Sequence, residues 1–403
     1  MLGRHLSLAF LLALPLLVGT APDAAGADLS QFKAGGSYRI REVIDLEGGT
    51  WTLPPDVTLT LDGGMIRNGV LEGNRTKLSC RGVGFDRVHI TGSWIAPTIS
   101  TAQFADLSYD NALQDVFALA SPEVKNTITV GPGTYRITLT GGYGIGIFSQ
   151  SDVTLDGDIV LTPNALTAFN SILYLSGERI RLKGSGSITG DKHSHLGDQG
   201  EWGMGITIDG GRDVSIKGLT VKDCWGDCIF VGGGSEGVSI KGCVLDHGRR
   251  QGISIVSATN VQVSNCLITN VGGIAPEYAI DIEPDAGNTV DRVRISNLRT
   301  SNCRGGIMSF GRAPEAMVGT IEISNCVIEG GELCPMYFQK GLSVSVRNTR
   351  IEDSGATFTI ICDDIDSARI TGNTISGCRK VMKNREVTVM NAKMQKVKSN
   401  IVR

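Results

Sequence analysis

The chain has 403 residues, with 38 Lys and Arg against 41 Asp and Glu, so its formal net charge is -3; this excludes the strongly basic proteins that bind nucleic acid through charge alone. The 53 glycines and the aromatic content of 5%, without a G-X-Y period, exclude collagen and disfavour a helical bundle. A chain of this length forms two or three domains unless repeated units extend one core lengthwise.

The N-terminus has the three parts of a secretory signal peptide. Arg4-His5 precedes an apolar run from Leu6 to Val18, and small residues follow up to Ala25-Gly26-Ala27. This pattern predicts a signal peptide over residues 1–27 and therefore a secreted or periplasmic protein. No later segment reaches 18 consecutive apolar residues, so we expect no membrane span.

The next segment predicts a strand-rich module followed by a short helix. Short apolar segments between residues 36 and 80 are separated by turn signals such as Pro54-Pro55 and Asn68-Gly69. We expect an N-terminal β module over residues 28–104 that covers an otherwise open coil end. Residues 111–120 then predict a capping helix, because their apolar residues form one helical face. These residues are Leu113, Val116, Phe117 and Ala120.

From residue 214 onward, alternating apolar segments end in Gly or Asn at one register. These two residue types tolerate the left-handed backbone conformation at the lowest cost, so their exchange at one position marks a repeated tight turn. The positions are Gly218, Gly242, Asn265, Asn297, Asn325, Asn348 and Gly372. Their intervals of 24, 23, 32, 28, 23 and 24 residues indicate a repeated coil.

A second strand series alternates with the first and has isoleucine at one register. Its anchors are Ile206, Ile229, Ile253, Ile280 and Ile307. Two or three short strands per coil, with no helical periodicity between them, predict an all-β fold, a parallel β-helix over residues 105–380. Residues 381–403 are predicted to form a C-terminal cap with a basic tail, and a solvated cap is favoured over a contact with an anionic surface.

The ten cysteines fit this repeat better than they fit a disulfide framework. Cys243, Cys266 and Cys326 follow the Gly/Asn turn at one inward register, which predicts stacked thiols in the core. Cys243 and Cys266 lie on neighbouring coils about 4.8 Å apart, so a bridge between them stays open. No pair of CxxC motifs is present, and we expect no metal site.

One stretch, residues 190–285, holds an unusual density of charged and aromatic side chains. Aligning the isoleucine anchors places Asp227 beside Gln251 and Tyr278, and puts Asp281 and Glu283 on the same wall. Asp227 and Asp281 are then two coils, about 9.6 Å, apart. Inverting glycosidases separate their two carboxyl groups by about 6.5–9.5 Å. This wall is therefore the predicted site.

The predicted roles follow from chemistry that a polysaccharide site needs. Carboxyl groups act as general acid and base, Arg orients substrate, and Trp stacks on sugar rings. The predicted catalytic residues are Asp227, Asp281 and Glu283, and the predicted substrate-binding residues are Trp202, Trp225, Arg249, Arg250, Gln251, Tyr278, Glu201, His193 and His195. Structural alternatives are that Asp227 caps a turn, that the two histidines belong to a solvent loop, and that Trp225 seals the turn between coils.

Four segments of this region resemble the repeats of secreted bacterial right-handed β-helix proteins of the pectin-lyase-like superfamily. They are GSGSITGDKHSHLGDQGEWGMGI (184–206), CWGDCIFVG (224–232), RRQGISI (249–255) and YAIDIEPD (278–285). The sequence is similar to family 28 polygalacturonases and to polysaccharide lyases, which implies a right-handed solenoid that acts on polysaccharide. Asp227 matches one Asp of the paired motif of family 28, and Gln251 stands where that family has His.

Three functions follow as hypotheses. The first is an exported enzyme that hydrolyses glycosidic bonds and requires no cofactor. The second is a lyase or C5-epimerase acting on a uronate polymer, with Ca²⁺ or Arg neutralising the substrate carboxylate. The third is a glycan-binding or adhesive solenoid without turnover. In each case the partner is a polysaccharide or oligosaccharide and not a nucleic acid.

Overall fold

The structure is a computed structural model that describes residues 29–377, 387–390, 394–398 and 400–402. The predicted signal peptide lies outside the described residues, as do 11 of the 23 residues predicted as the C-terminal cap and tail.

From residue 126 onward, the chain winds through three walls of parallel strands. The first wall contains Gly142–Ile147, Asn170–Leu175, Gly203–Asp209, Ile229–Gly232, Ile253–Ile255, Tyr278–Ile282, Gly305–Phe310 and Val387–Met390. The second wall contains Asn126–Val130, Ser151–Leu155, Glu178–Lys183, Arg212–Lys217, Ser235–Lys241, Ala258–Ser264, Thr289–Ser296, Met317–Val318, Thr320–Ser324 and Met394–Lys398. Two long strands, Met336–Arg347 and Ile360–Thr371, continue from the first wall into the second.

The third wall contains the shortest strands. They are Thr134–Ile137, Asp158–Leu161, Ser187–Thr189, Thr220–Lys222, Val244–Asp246, Leu267–Thr269, Arg299–Ser301, Val327–Glu329, Arg350–Glu352, Thr374–Ser376 and Ile401–Val402. The parallel β-helix predicted from the repeat is confirmed.

The repeated Gly/Asn turn joins the second wall to the third. All seven predicted positions have a positive φ, from 50° at Asn348 to 80° at Gly218. The isoleucine anchors pair as predicted, Ile206 with Ile229, Ile253, Ile280 and Ile307 in turn. All five of these side chains are fully buried, and burial of one isoleucine contributes about 1.5–3 kcal/mol. The Gly/Asn period therefore locates the repeated turn, and the isoleucine period locates the core residues.

The predicted strand-rich module is present, and its strands are also parallel. They are Ser37–Ile40, Val43–Asp45, Thr50–Thr52, Thr58–Asp62, Met65–Arg81 and Phe85–Ile95. Two 3-10 helices, Leu29–Gln31 and Thr101–Gln103, and the strand Thr98–Ser100 flank it. Thr98–Ser100 pairs with Asn126–Val130, which joins the module to the solenoid.

The predicted helix is confirmed over Ala112–Ala118. It is shorter than predicted because Asn111 has a φ of 65°, outside the helical region. The helix packs against Phe85–Ile95 and against the strands Thr134–Ile137 and Gly142–Ile147. Asp115 accepts hydrogen bonds from the Ile90 backbone N–H and the Tyr109 hydroxyl, each at 2.8 Å. The helix is therefore held between the module and the first coils.

The nine cysteines in the described part of the chain are free thiols, and seven of them are buried. Cys243, Cys266 and Cys326 lie in the core, as their register predicts. Burial raises the pKa of the Cys326 thiol to about 11. These thiols therefore act as small apolar core residues.

Candidate functional site

Four carboxyl groups surround one arginine on the first wall. The Arg250 Nη1 atom lies 3.4 Å from Asp227 Oδ2, and its Nε atom lies 3.5 Å from Glu201 Oε2. Arg250 also lowers the pKa values of Asp281 and Glu283 through its charge. We call these five residues the carboxylate cluster. The structure thus brings together five residues that the strand alignment predicts as site residues.

The intervening coil, residues 250–255, supplies hydrogen bonds to both aspartates. Ser254 Oγ donates to Asp227 Oδ2 at 2.7 Å. Gln251 Nε2 donates to Asp281 Oδ2 at 2.8 Å, while Gln251 Oε1 accepts from the Tyr278 backbone N–H at 2.9 Å. Gln251 therefore positions Asp281, a role that the sequence did not reveal.

Burial controls the protonation of the cluster. It raises the pKa of the fully buried Asp227 to about 6, although Arg250 and Ser254 act in the opposite direction. Burial, followed by the charge of Glu283, raises the pKa of Asp281 well above the usual carboxyl range. Burial also raises the pKa of Glu283, while a hydrogen bond from Asp281 lowers it. One arginine does not compensate four carboxylates, so burial favours the protonated forms of Asp281 and Glu283.

Several buried polar atoms of this wall have no hydrogen-bond partner in the described part of the chain. They are Thr207 Oγ1, Asp227 Oδ1, Asp281 Oδ1, Ser309 Oγ and Arg250 Nε. Leaving such an atom unpaired costs about 1–3 kcal/mol. Asp227 and Asp281 lie beneath the surface, whereas the side chains of Glu201 and Arg250 are 34% and 14% exposed. The Arg250 guanidinium group contacts Asp227 and Glu201 at 3.4 and 3.5 Å.

Trp225, predicted to stack on sugar, is buried between two side chains in the structure. Its ring stacks on His195 with centroids 4.0 Å apart and planes 13° apart, and the Arg249 guanidinium carbon lies 3.6 Å from the ring centroid. Two groups this close cannot share one face, so they cover both faces of the indole. The residue is only 8% exposed. The alternative that Trp225 seals the turn between coils fits the structure.

His195 and Arg249 also make contacts within the fold, although Arg249 remains partly exposed. His195 Nδ1 lies 2.8 Å from Asp191 Oδ2, and both side chains are almost fully buried. Arg249 Nη1 donates to the Gly200 carbonyl at 2.8 Å. We call His195, Trp225 and Arg249 the stacked triad. The triad ties the segment 191–202 to the neighbouring coils, and strand alignment cannot reveal this because the segment folds back across them.

His193 and Tyr278 also differ from their predicted roles. His193 is exposed and lies 3.0 Å from Asp223, next to His247, at the end of the third wall. The structure does not bring it to the carboxylate cluster. Tyr278 is 6% exposed, and its ring packs on Gly305, where a Cβ atom would come within 2.5 Å of the ring. Tyr278 therefore supports the wall.

An aromatic patch on the first wall was not predicted as a unit. Tyr143 and Tyr174 stack with centroids 4.9 Å apart. Phe169 contacts Trp202 at 6.0 Å and Phe230 at 5.4 Å. All five rings are partly or fully exposed. The patch extends from the carboxylate cluster towards the N-terminal coils, and register could not have found it, because Tyr143 pairs with Ser171 and Tyr174 with Gly146.

Among the described residues, no group of three or more His, Cys, Asp and Glu side chains has a geometry suited to a metal ion. The helices in the described part of the chain are too short to cross a membrane.

The comparisons with known proteins agree on the architecture. The family model "Right handed beta helix region" matches residues 125–291. Two curated proteins of Bacillus subtilis (strain 168) are similar: the SPbeta prophage-derived uncharacterized protein YorA, 27% identical over 260 residues, and the uncharacterized protein YclG, 28% identical over 207 residues. These alignments cover 58% and 44% of this chain, but only 43% and 35% of the relatives, so the chain spans less than half of their length.

Among solved structures, a hyperthermoactive exopolygalacturonase from Thermotoga maritima is similar with a TM-score of 0.53. The superposition covers 76% of this chain and 91% of that chain, at 12% sequence identity. An identity this low supports the shared architecture and not a shared reaction. Together with the three walls of parallel strands, these matches show that the chain has the right-handed parallel β-helix fold.

Proposed function

We propose that the chain is a glycoside hydrolase acting on a polysaccharide and that the carboxylate cluster is its active site. One observation carries the proposal: two buried aspartates with raised pKa values, each with an unpaired oxygen, flank one arginine on a single wall. Titratable groups with perturbed pKa values cluster at catalytic sites. Burying polar groups without hydrogen-bond partners costs free energy, and a wall with only a structural role does not require it.

The cluster can supply both an acid and a base. Burial favours the protonated forms of Asp281 and Glu283, and Glu283, which is partly exposed, can deliver a proton to the glycosidic oxygen as the bond to the anomeric carbon breaks. Asp227, which is ionised above about pH 6, takes a proton from the water that attacks that carbon. Asp227 and Asp281 are offset by two coils along the solenoid axis, about 9.6 Å at the strand spacing, and inverting glycosidases separate their carboxyl groups by about 6.5–9.5 Å to leave room for such a water. We therefore expect inversion at the anomeric carbon.

Substrate has to displace Arg250 before it reaches Asp227. The guanidinium group lies over Asp227 at 3.4 Å and 5.4 Å from the Trp202 ring centroid. Its Nε atom has no hydrogen-bond partner among the described residues. Sugar hydroxyl groups can replace these long contacts with shorter ones, so the opening costs little.

The charge balance favours a neutral sugar at the point of cleavage. Elimination or epimerisation of a uronate needs cations to neutralise the substrate carboxylate. Arg249 is bound within the stacked triad and Arg250 already faces four carboxyl groups. A uronate would add another negative charge to a site that lacks positive charge. This supports hydrolysis over the lyase or epimerase hypothesis.

The aromatic patch is the proposed sugar-binding platform beside the cluster. Aromatic rings with an exposed face pack against the apolar faces of sugars. Trp202 joins the two regions because its ring lies near both Arg250 and Phe169. Trp202 therefore takes the stacking role that the sequence assigned to both tryptophans.

The test is the release of reducing ends from a panel of neutral and acidic glycans by the purified protein. We expect release from a neutral glycan, loss of release in Asp227→Asn and Asp281→Asn, and normal release in Asp246→Asn. Asp246 is a matched control because it is hydrogen-bonded on the third wall to Thr269 and Asn270. No release from any glycan by folded protein contradicts the proposal, as does an unsaturated uronate product, which would indicate elimination.

A further inference from the structure

A groove of about 580 Å³ on the second wall is lined mainly by basic side chains. Five cations line it: Lys125, Arg179, Arg181, Lys183 and Lys217. Two carboxylates, Asp152 and Asp213, face them. The whole chain has a formal net charge of -3, so this excess of positive charge is a local feature of one surface.

The acidic residues of the groove are already paired. Lys125 Nζ lies 2.7 Å from Asp152 Oδ2, and Arg181 forms an ion pair with Asp213. Lys183 and Lys217 have no ion pair with any residue in the described part of the chain. Both are exposed. Their charges are therefore free to meet a ligand.

These two lysines belong to a row of three that runs along the solenoid axis. Lys183 pairs in register with Lys217, and Lys217 with Lys241. Neighbouring strands are about 4.8 Å apart. Like charges directly opposite each other on neighbouring strands are destabilising. The row of like charges does not stabilise the fold, which indicates that the lysines bind an external partner.

We propose that this basic groove binds an extended anionic polysaccharide that carries a carboxylate or sulfate on successive sugars. Such a chain lies along the lysine row and places its charges at intervals comparable with the coil spacing. The lysines meet these charges one coil at a time. The groove holds no pair of titratable groups suited to cleavage, so it anchors the protein and does not form a second active site.

The chemistry of the groove disfavours nucleic acid as the partner. Proteins that bind single strands combine basic side chains with aromatic rings on which bases stack, and no aromatic residue lines this groove. Each strand of duplex DNA carries one charge per about 3.4 Å of helix axis, but the strand winds around that axis, so its phosphates do not follow a straight row of lysines. The lysine row therefore matches a glycan better.

The groove is distinct from the carboxylate cluster in both position and charge. The cluster lies on the first wall and has an excess of carboxyl groups, so it repels the polymer that the groove attracts. The inference does not depend on the proposed hydrolase activity. It adds an anchoring function that holds if the chain is instead a binding protein.

The test uses fluorescence polarisation with labelled polygalacturonate, dextran sulfate, neutral dextran and oligothymidylate. We expect the full chain to bind one or both anionic glycans, with affinity that falls as salt rises, and not to bind dextran through this groove. Replacing Lys183, Lys217 and Lys241 together with Gln should weaken binding at least tenfold at low salt. Replacing Lys33, Lys77 and Lys340 with Gln removes the same charge elsewhere and should leave binding unchanged.

The two anionic glycans distinguish a carboxylate partner from a sulfate partner. Asp281→Asn serves as a further control and should leave this binding unchanged, which separates the groove from the first-wall site. The proposal is overturned if neither anionic glycan binds, if the groove variant binds as the parent does, or if oligothymidylate binds more tightly than both glycans.

Discussion

Replacing Trp225 with alanine removes the centre of the stacked triad. The indole lies between His195 at 4.0 Å and the Arg249 guanidinium at 3.6 Å, and the residue is 8% exposed. Truncating a buried Trp to Ala costs about 3–5 kcal/mol. We therefore expect the free energy of unfolding to fall by that amount. The melting temperature should decrease by about 4–7 °C for a cooperative unit of roughly 350 residues.

Thermal unfolding followed by circular dichroism and calorimetry measures this loss. Limited proteolysis adds a local readout, because Arg249 donates hydrogen bonds to the carbonyl groups of Gly200 and Asp198. Cleavage within residues 191–202 should become faster in the variant. Trp202→Ala is the matched control: its ring is partly exposed, so the melting temperature should fall by less than about 2 °C.

An unchanged melting temperature for Trp225→Ala, together with unchanged proteolysis, would refute the structural role of the triad. The indole would then not stabilise the fold, and its predicted contact with sugar would be the better interpretation. A large loss of stability in Trp202→Ala would equally contradict its assignment to the aromatic patch.

Four further predictions concern the cluster and the turns. Burial raises the pKa of Asp227 to about 6, above about 3.9 in the unfolded chain, so its contribution to stability is present below about pH 4 and is lost as pH rises through 6. The parent protein should therefore lose about 3 kcal/mol of stability over this range, and Asp227→Asn should not show this loss when melting temperature is measured against pH. Parallel curves of melting temperature against pH for the two proteins would count against the prediction. The rate of glycan cleavage should rise through about pH 6 as Asp227 ionises and fall at higher pH as Asp281 loses its proton, whereas a flat profile would exclude this acid and base pair. Gln251→Leu should lower the free energy of unfolding by about 1–3 kcal/mol in denaturant titration because Asp281 and the Tyr278 backbone N–H lose their partner, and an unaltered midpoint would show that these bonds contribute little. Asn265, with a φ of 54°, should tolerate Gly, while Asn265→Ala should cost about 1–2 kcal/mol; equal melting temperatures would mean that the left-handed turn is not required.

The architecture could be predicted from the sequence because a solenoid repeats its local rules. The left-handed turn requires Gly or Asn at one register, and the core requires an apolar anchor such as Ile253 at another. Both requirements recur in every coil, so a coil that is assigned wrongly can be recognised by comparison with its neighbours. This is why the strand pairing of the anchors agrees with the alignment at every step from Ile206 to Ile307.

The same alignment found the members of the carboxylate cluster but not their surroundings. Asp227, Arg250 and Asp281 lie on or next to strands, so register places them correctly. Trp225 and His195 depend on the segment 191–202, which folds across several coils without a repeat to guide it. The basic groove was not predicted, because the nearly neutral net charge of the whole chain does not reveal an excess of Lys and Arg on one surface.

The coil spacing makes the distance between Asp227 and Asp281 a discrete quantity. Residues on the same wall can change their axial separation only in whole coils, each about 4.8 Å. Deleting the one coil between these aspartates would reduce their axial offset from about 9.6 Å to about 4.8 Å, in the direction of the carboxyl separation of about 5–5.5 Å that retaining glycosidases use. In this fold, the gain or loss of a single repeat unit could therefore move an active site from one stereochemical course to the other without any change in the carboxyl groups themselves.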